Sequence, residues 1–467
     1  MQLDLTGQAA LLADGEVTSL ELVDAAIERM EANEPRLNAL TTRNFEAARA
    51  AAQTAGGQSP VGGLPFLHKD LVDVVGFLRS EGGHAALHQH PETDPPLIEA
   101  LKKSGLIFLA ATNTPEFASL PVTANTTFGT TKNPWDESKT AAGSSGGSAV
   151  AVAAGHVAAA HATDGAGSIR LPSSFCGTFG FKPTRGRLLS GEADGSHPLL
   201  KHHHAITRSV RDSALLFELT QDAAADEMMR PSRREGLSGL KIGLMFDNLQ
   251  DTPVAPDIRA AIEATAKQLE DMGHHIVPMT LHGADKQGFW QHVENMFLAR
   301  MPLLVGAIEQ ATGQPFADNQ VLSPFTTSMG LAALSMVDDE TEAKALAGFD
   351  ALKPQLLGGF DAVDILLTPV TPMMPFGHDF ITPHGSFEAD RQKIADMMGY
   401  MASANVYGLP AMSVPVGFAG GLPIGAHFLA PLGSDALLFE LAYALEEAAP
   451  WHENGAPMKL DREGNSK

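Results

Sequence analysis

The amino-acid sequence predicts an α/β protein, and three stretches carry that expectation. Leu240, Ile242, Leu244 and Phe246 alternate as one face of a strand. Ile258, Ile262, Ala266, Leu269 and Met272 follow at helical spacing, stop at Gly273, and lead into a second strand at Ile276-Val277. That order is a βαβ unit, usually right-handed with its strands parallel. Nearer the N-terminus, Leu97, Ile98 and Leu101 form a helix face closed by Gly105, and residues 106–110 read as the strand that follows. Residues 363–368 are an apolar run of strand length, closed by Pro369.

Taken in order, Thr18-Ser19-Leu20-Glu21 is a capping box that opens a helix with Leu20, Val23, Ile27 and Met30 on one face; Pro35 is expected to end it. Residues 47–55 are an Ala-rich helix, 56–63 a loop, and 64–68 a short apolar strand that delivers Lys69. Residues 281–360 show helical patches without a readable motif. Ser434 is placed to cap a last helix with Leu437, Leu438, Leu441 and Leu445 on one face. No repeat, low-complexity tract or linker divides the chain.

Composition narrows the function. The formal charge is −23 and no basic cluster appears, which argues against a nucleic-acid partner. A single cysteine, Cys176, leaves no internal disulfide and fits a reducing compartment. The N-terminus has neither the basic nor the apolar region of a signal peptide. The longest apolar run, residues 149–162, is Ala-rich and carries His156 and His161, too short and polar to span a bilayer. The expectation is a cytoplasmic protein with no membrane partner.

Chemistry concentrates between Thr140 and Gly180. Gly143-Ser144-Ser145-Gly146-Gly147-Ser148 is followed by an Ala/Val run and then Thr163-Asp164-Gly165-Ala166-Gly167-Ser168-Ile169-Arg170. Glycine permits close backbone approach and serine supplies hydroxyls, so the two clusters can fold back to bring a hydroxyl from each together. The stretch closely resembles the amidase signature enzymes, which hydrolyse carboxylic amides with a Ser-Ser-Lys triad. Carried over by motif, Ser168 is the nucleophile and Ser144 the bridging serine, whose peptide with Gly143 is cis. Gly63-Leu64-Pro65-Phe66-Leu67-His68-Lys69-Asp70 matches the segment that supplies the lysine, Lys69. Thr112 to Phe117, Lys132 to Trp135, Phe179 to Gly186 and the stretch from Asn405 to Gly425 match further family segments.

The resemblance implies a large mixed, twisted sheet covered by helices on both faces, formed by one domain, 1–467. Within it, 61–195 is the catalytic core segment, 196–400 a variable region that shapes the substrate site, and 405–450 the C-terminal signature segment. It also implies a small-molecule amide as substrate, no cofactor and no metal; a homodimer is the expected assembly.

An amide demands a strong nucleophile, a proton for the leaving nitrogen and donors for the oxyanion. In the Ser-Lys variant of serine-hydrolase logic a neutral lysine is the base. Bringing lysine from about pKa 10.4 to neutrality near pH 7–8 costs roughly 3–4 kcal/mol and needs burial; Phe66, Leu67 and Leu71 could supply the dry setting. Ser144 would relay the proton between Lys69 and Ser168. The expected oxyanion donors are the backbone N–H groups of Gly165, Ala166, Gly167 and Ser168, at the start of a helix over 169–175. Ala166 stands where the family usually has glycine. Asp164 and Arg170 read as scaffold.

Plainer readings compete for the same residues. The Gly/Ser clusters lack the Lys-Ser/Thr of a P-loop. Gly143-Ser144-Ser145-Gly146-Gly147 formally fits a Gly-x-Ser-x-Gly elbow with Ser145 as nucleophile, but such an elbow follows a strand and residues 136–142 are polar and turn-like. His202-His203-His204, with His197, could suggest a metal; without a partner at ligand spacing they are read as a pocket edge or surface loop. His68 is read as a packed or hydrogen-bonded histidine and Cys176 as a buried structural thiol. Two functional alternatives remain: the glutaminase subunit of a tRNA-dependent amidotransferase and a catalytically silent binding module. The first usually has Gln where Leu171 stands and Asp-Thr-Gly-Gly-Ser where this chain has Asp164-Gly165-Ala166-Gly167-Ser168. The second would have lost the serine, whereas Ser168, Ser144 and Lys69 are all present. Phe66-Leu67 and Thr163 look most like the subgroup with nylon-oligomer and aryl amide hydrolases.

Overall fold

The computed structural model describes residues 3–55, 59–190, 199–223, 229 and 231–451. The first part of the expected loop at 56–63 and His197 lie outside them. Thirteen strands are present among the described residues: β1 Leu40–Arg43, β2 Pro65–Lys69, β3 Ile107–Thr112, β4 Ala124–Asn125, β5 Gly129–Thr130, β6 Ala159–Asp164, β7 Phe179–Lys182, β8 His202–Thr207, β9 Lys241–Met245, β10 His275–Met279, β11 Ile365–Pro369, β12 Ala411–Ala419 and β13 Leu422–Leu429. Eleven of them form one mixed sheet in the order β1-β3-β2-β6-β8-β7-β12-β13-β11-β9-β10, and β4 pairs with β5 apart from it.

The expected βαβ unit is present. β9 and β10 pair in parallel around the helix Pro256–Asp271, whose Ile258, Ile262, Ala266 and Leu269 are buried against the sheet. β2 is parallel to both β3 and β6, and it is buried at every position. A strand covered on both faces reads as a continuous apolar run, which is what residues 64–68 look like in sequence. Period-2 alternation sends Phe66 into a cluster with Leu97, Ile98 and Leu216 on one face. Leu67 goes to the other, with Val23, Ile27 and Val150. Burying each such side chain contributes about 1.5–3 kcal/mol. Helices thus flank the sheet on both sides.

Local expectations are met unevenly. The Thr18 capping box forms, with Glu21 returning its carboxylate to the Thr18 N–H at 2.7 Å. The helix does not stop at Pro35, however; it runs Ser19–Leu37 and ends at Asn38 with φ 52°. Proline loses its N–H and crowds the carbonyl four residues back, but the turn beyond it is held by the Asn38 N–H donating to the Glu34 carbonyl at 3.0 Å and by the Glu34 carboxylate accepting from the Ala39 and Leu40 N–H groups at 3.0 and 3.1 Å. Ser434 precedes the helix Asp435–Ala448, but its hydroxyl makes no capping bond. The helix Leu5–Ala13 had no sequence expectation.

The histidine triplet is a clear correction. His202, His203 and His204 lie on β8, between β6 and β7 in the sheet, and all three are buried rather than on a loop. Each finds a partner: His202 with the Leu200 carbonyl at 2.9 Å, His203 with His161 at 3.1 Å and His204 with Ser213 at 2.8 Å. Burial holds them neutral, His204 titrating down at about 3. A neutral, hydrogen-bonded imidazole is tolerated in a core where a charged one is not.

Candidate active site

The site assembles at the carboxyl ends of β2 and β6, where α/β sheets commonly place ligands. β2 ends at Lys69, whose side chain is wholly buried. Its Nζ lies 2.6 Å from Ser144 Oγ and 2.8 Å from Thr163 Oγ1. Its backbone N–H donates to His161 Nδ1 at 3.4 Å. Burial pushes the Lys69 pKa well below the usual lysine value; the positive charge of Lys201 pushes the same way, and Asp164 opposes it. The next residue, Asp70, anchors the turn beyond: its carboxylate accepts from the Ser80 N–H at 2.8 Å, from the Ser80 hydroxyl and from Thr41 Oγ1 at 2.8 Å.

Ser144 is reached through a tightly held turn. The Gly143–Ser144 peptide is cis, as the resemblance implied. Glycine is required at 143 because a Cβ there would meet the Val122 backbone at 2.8 and 2.9 Å. Thr114 Oγ1 donates to the Ser144 carbonyl at 3.0 Å, and Thr123 Oγ1 donates to that of Ala142 at 2.9 Å. The helix Gly146–Ala153 follows. Ser145, the rival nucleophile, is buried with its hydroxyl donating to the Thr163 carbonyl at 3.0 Å. No strand runs directly into it, residues 141–145 being outside any strand.

Ser168 lies in the loop between β6 and the helix Arg170–Cys176. Its carbonyl accepts from the Ser145 N–H at 3.3 Å, which joins the two serine clusters through the backbone. Ser144, Thr163 and Ser168 line one cavity. Among the described residues the Ser168 hydroxyl forms no hydrogen bond to protein, with Ser144 or any other side chain.

Asp164 and Arg170 build the scaffold of this loop. They form an ion pair at 2.9 Å with both side chains wholly buried. Asp164 also accepts from the N–H groups of Gly167 at 2.6 Å and Ile169 at 3.1 Å. Arg170 extends to Asn405 Oδ1 at 2.6 Å, to the Met401 carbonyl at 3.1 Å and to His427 at 2.9 Å. Burial alone would raise the Asp164 pKa, but the Arg170 charge and the hydrogen bonds from Arg170 and Asn405 outweigh it, holding the carboxyl below the usual carboxylate range. The C-terminal segment thus fixes the loop from across the sheet.

One of the four N–H groups expected as oxyanion donors is already engaged within the protein. The Gly167 N–H is engaged by Asp164, so of the four donors named from sequence, Gly165, Ala166 and Ser168 are the ones with no protein acceptor among the described residues. The positive φ of the loop falls at Gly167, at 136°, and not at Ala166. Ala166 instead packs its methyl with Leu200, Phe289 and Ala402.

His68 is buried between the rings of Phe77 and Phe108, its pKa drawn down to about 3 by burial, with the Lys102 charge adding to it. Cys176 is buried and burial pushes its thiol pKa up.

The cavity has a volume of about 510 Å³. Beyond the serines its wall is largely apolar, with Phe117, Leu120, Trp290, Met301 and Phe325 among its surfaces. A charged group also faces it: Arg79, paired with Asp73 at 3.1 Å and with Glu81 at 3.2 Å, and beside them Lys201. Burial shifts Glu81 up to about 7 and Lys201 down to about 7. The sequence reading assigned no role to Thr163, Glu81 or Lys201. For Thr163 a signal existed, since a hydroxyl residue precedes Asp164 in the quoted motif; Glu81 and Lys201 belong to no motif. No helix of the described residues is long and apolar enough to cross a membrane.

Residues 21–439 match the protein family described as Amidase. In sequence the chain is 30% identical to a 6-aminohexanoate-cyclic-dimer hydrolase of Paenarthrobacter ureafaciens, covering 96% of this chain and 95% of that one. It is 31% identical to a glutamyl-tRNA(Gln) amidotransferase subunit of Synechococcus sp. (strain CC9605), covering 94% of each. In three dimensions it is similar to a 6-aminohexanoate cyclic dimer hydrolase complexed with substrate, with a TM-score of 0.87 and 26% identity over 98% of this chain and 99% of that one.

Proposed function

The chain belongs to the amidase family and is a carboxamide hydrolase, and from that premise we infer that it works through an acyl-enzyme on Ser168, with Lys69 as base and Ser144 as proton relay. The observation that carries this reading is the contact of a wholly buried Lys69 with Ser144 at 2.6 Å, on the cavity that Ser168 also lines. A lysine deprived of water favours its neutral amine, whose lone pair can take the Ser144 proton. Thr163 Oγ1 then accepts one of the remaining amine hydrogens and aims the lone pair.

As Ser144 gives its proton to Lys69 it takes the Ser168 proton, and Ser168 Oγ bonds to the carboxamide carbon. The carbonyl oxygen becomes the oxyanion, and the N–H groups of Gly165, Ala166 and Ser168 are its donors. The proton held on Lys69 returns through Ser144 to the leaving nitrogen, the C–N bond breaks, and the acyl group remains on Ser168 as an ester. Water repeats the sequence and releases the acid. The apolar wall suits an amide with hydrocarbon on at least one side better than the short polar side chain of glutamine, which favours a freestanding hydrolase over a glutaminase subunit. By similarity to the cyclic-dimer hydrolase, aliphatic amides are the first substrates to try.

A serine-directed fluorophosphonate should label the native enzyme at Ser168, as mapped by peptide mass spectrometry. Ser168→Ala should lose both label and turnover while keeping its far-ultraviolet circular dichroism. Label on Ser145 would overturn the assignment.

A further inference from the structure

The charge on the cavity wall runs against that of the whole molecule. The protein carries −23, yet the ionic side chains facing the cavity are Arg79, Lys201, Arg300 and Arg391 against Glu81 and Glu294. Most of this charge is met locally. Arg79 is held by Asp73 and Glu81. Arg391 donates to both Glu294 oxygens, at 2.5 and 3.1 Å. Lys201 is engaged as well and feels the charge of Glu81.

Arg300 differs from the others. Its side chain forms no hydrogen bond or ion pair with any described residue, and its Nε is buried without a partner. It sits at the junction of two helices, Lys286–Leu298 and Met301–Thr312. On either side of it, Phe297 and Leu303 also line the cavity while being 37% and 69% exposed, which marks this part of the wall as the mouth. A solvated arginine at a rim would satisfy all its donors with water; a buried Nε cannot, and a buried donor left without an acceptor is destabilising. The terminal guanidinium nitrogens of Arg300 are not buried in this way and have no side-chain or backbone acceptor among the described residues, so they are the donors a ligand in the cavity can meet.

We propose that Arg300 binds a substrate carboxylate, so that the amide hydrolysed here carries an anionic carboxylate separated from the scissile bond by an apolar segment. The proposal rests on the reading of this cavity as the amide-hydrolysing site. The guanidinium fork matches the two oxygens of a carboxylate. A monoanion is the better match than a phosphate dianion, because one unmatched cation faces the ligand and Glu294 and Glu81 share the wall. The apolar surfaces of Leu120, Met301 and Phe325 suit the intervening hydrocarbon.

The test uses two pairs of probes that differ only in terminal charge. One pair is adipic acid monoanilide and its methyl ester, with the carboxylate on the acyl side; the other is N-benzoyl-5-aminopentanoic acid and its methyl ester, with it on the amine side. Binding is measured by calorimetry to the Ser168→Ala protein, and turnover by product release from the native enzyme. In at least one pair the acid should be preferred, and Arg300→Gln should reduce the acid-to-ester ratio of kcat/KM, and of affinity, by about 10- to 100-fold, chiefly through KM. Arg300→Lys should recover part of it, since a point cation replaces a fork. An unchanged ratio in Arg300→Gln, or equal handling of acid and ester in both pairs, would overturn the proposal. If acid and ester are discriminated in binding but Ser168→Ala still turns them over, the carboxylate site stands and the Ser168 mechanism falls.

Discussion

Lys69 Nζ lies between two hydroxyls, 2.6 Å from Ser144 and 2.8 Å from Thr163, and forms no ion pair with any described residue. An ammonium in that position would be buried with only neutral acceptors, whereas a neutral amine fits the same geometry at no electrostatic cost. The chemistry of the site depends on which form is present.

Activity should therefore rise with pH as Lys69 loses its proton, and reach its plateau below the ordinary lysine value of about 10.4. Lys69→Arg should be as inactive as Lys69→Ala, each lower in kcat by on the order of 10³- to 10⁴-fold, because a guanidinium keeps the charge but cannot accept a proton. The kcat/KM pH profile and the two variants together decide it. Substantial activity in Lys69→Arg with a native pH profile would leave Lys69 as an electrostatic residue only.

The same group should make stability rise with pH. The folded pKa of Lys69 lies below its unfolded value, so at neutral pH the unfolded chain binds more protons. This group's contribution is at its best above about pH 10.4, falls as pH drops towards the depressed folded value, and is level below it. Lys69→Met removes that dependence. It should melt higher than the native protein at neutral pH, by on the order of a few °C, with the gap closing as pH approaches about 10. A lower melting temperature for Lys69→Met across the range would contradict the neutral assignment.

Thr163→Val keeps the shape of the side chain and removes the hydroxyl that lies 2.8 Å from Lys69 Nζ. Its kcat should fall by about 10-fold, with Thr163→Ser restoring most of it. Equal losses in the valine and serine variants, read by steady-state kinetics, would point to packing instead.

The two middle residues of the loop from Gly165 to Ser168 should respond in opposite ways. Gly167 has φ 136°, and a Cβ there would meet Met401 Sδ at 2.5 Å. Gly167→Ala should destabilise the protein by roughly 1–3 kcal/mol in denaturant unfolding and lower kcat with it. Ala166→Gly removes a packed methyl from an ordinary conformation. Its kcat should stay within about threefold of native, with a loss of about 1 kcal/mol in stability. A gain in activity for Ala166→Gly would mean that a glycine-like conformation at 166 is used in catalysis.

Much of the framework was legible in the chain. The βαβ unit, the strand before Lys69 and the Thr18 capping box are local patterns, and local patterns can be read from neighbouring residues. The Gly/Ser clusters and the Lys69 segment were legible for the same reason, as long continuous motifs. The histidine triplet was not. Three consecutive histidines look solvated in sequence, and only the burial of β8, between β6 and β7 in the sheet, with Ser213 and His161 as partners, makes them neutral core residues.

By itself the sequence determined which residues could do chemistry here: a lysine at the end of an apolar strand, two serines on glycine-rich turns, and an aspartate and arginine flanking the second. Tertiary structure alone decided their states. Lys69 meets Thr163 across 94 positions of chain, and Asp164 is held by Asn405 across 241. The Gly167 N–H is taken up by Asp164 rather than facing the cavity, and Arg300 is left on the wall with no counterion among the described residues. Proton affinity and pairing follow from desolvation and from the nearest charges, and those are set by which distant segments the fold packs together, a quantity that no window of sequence contains.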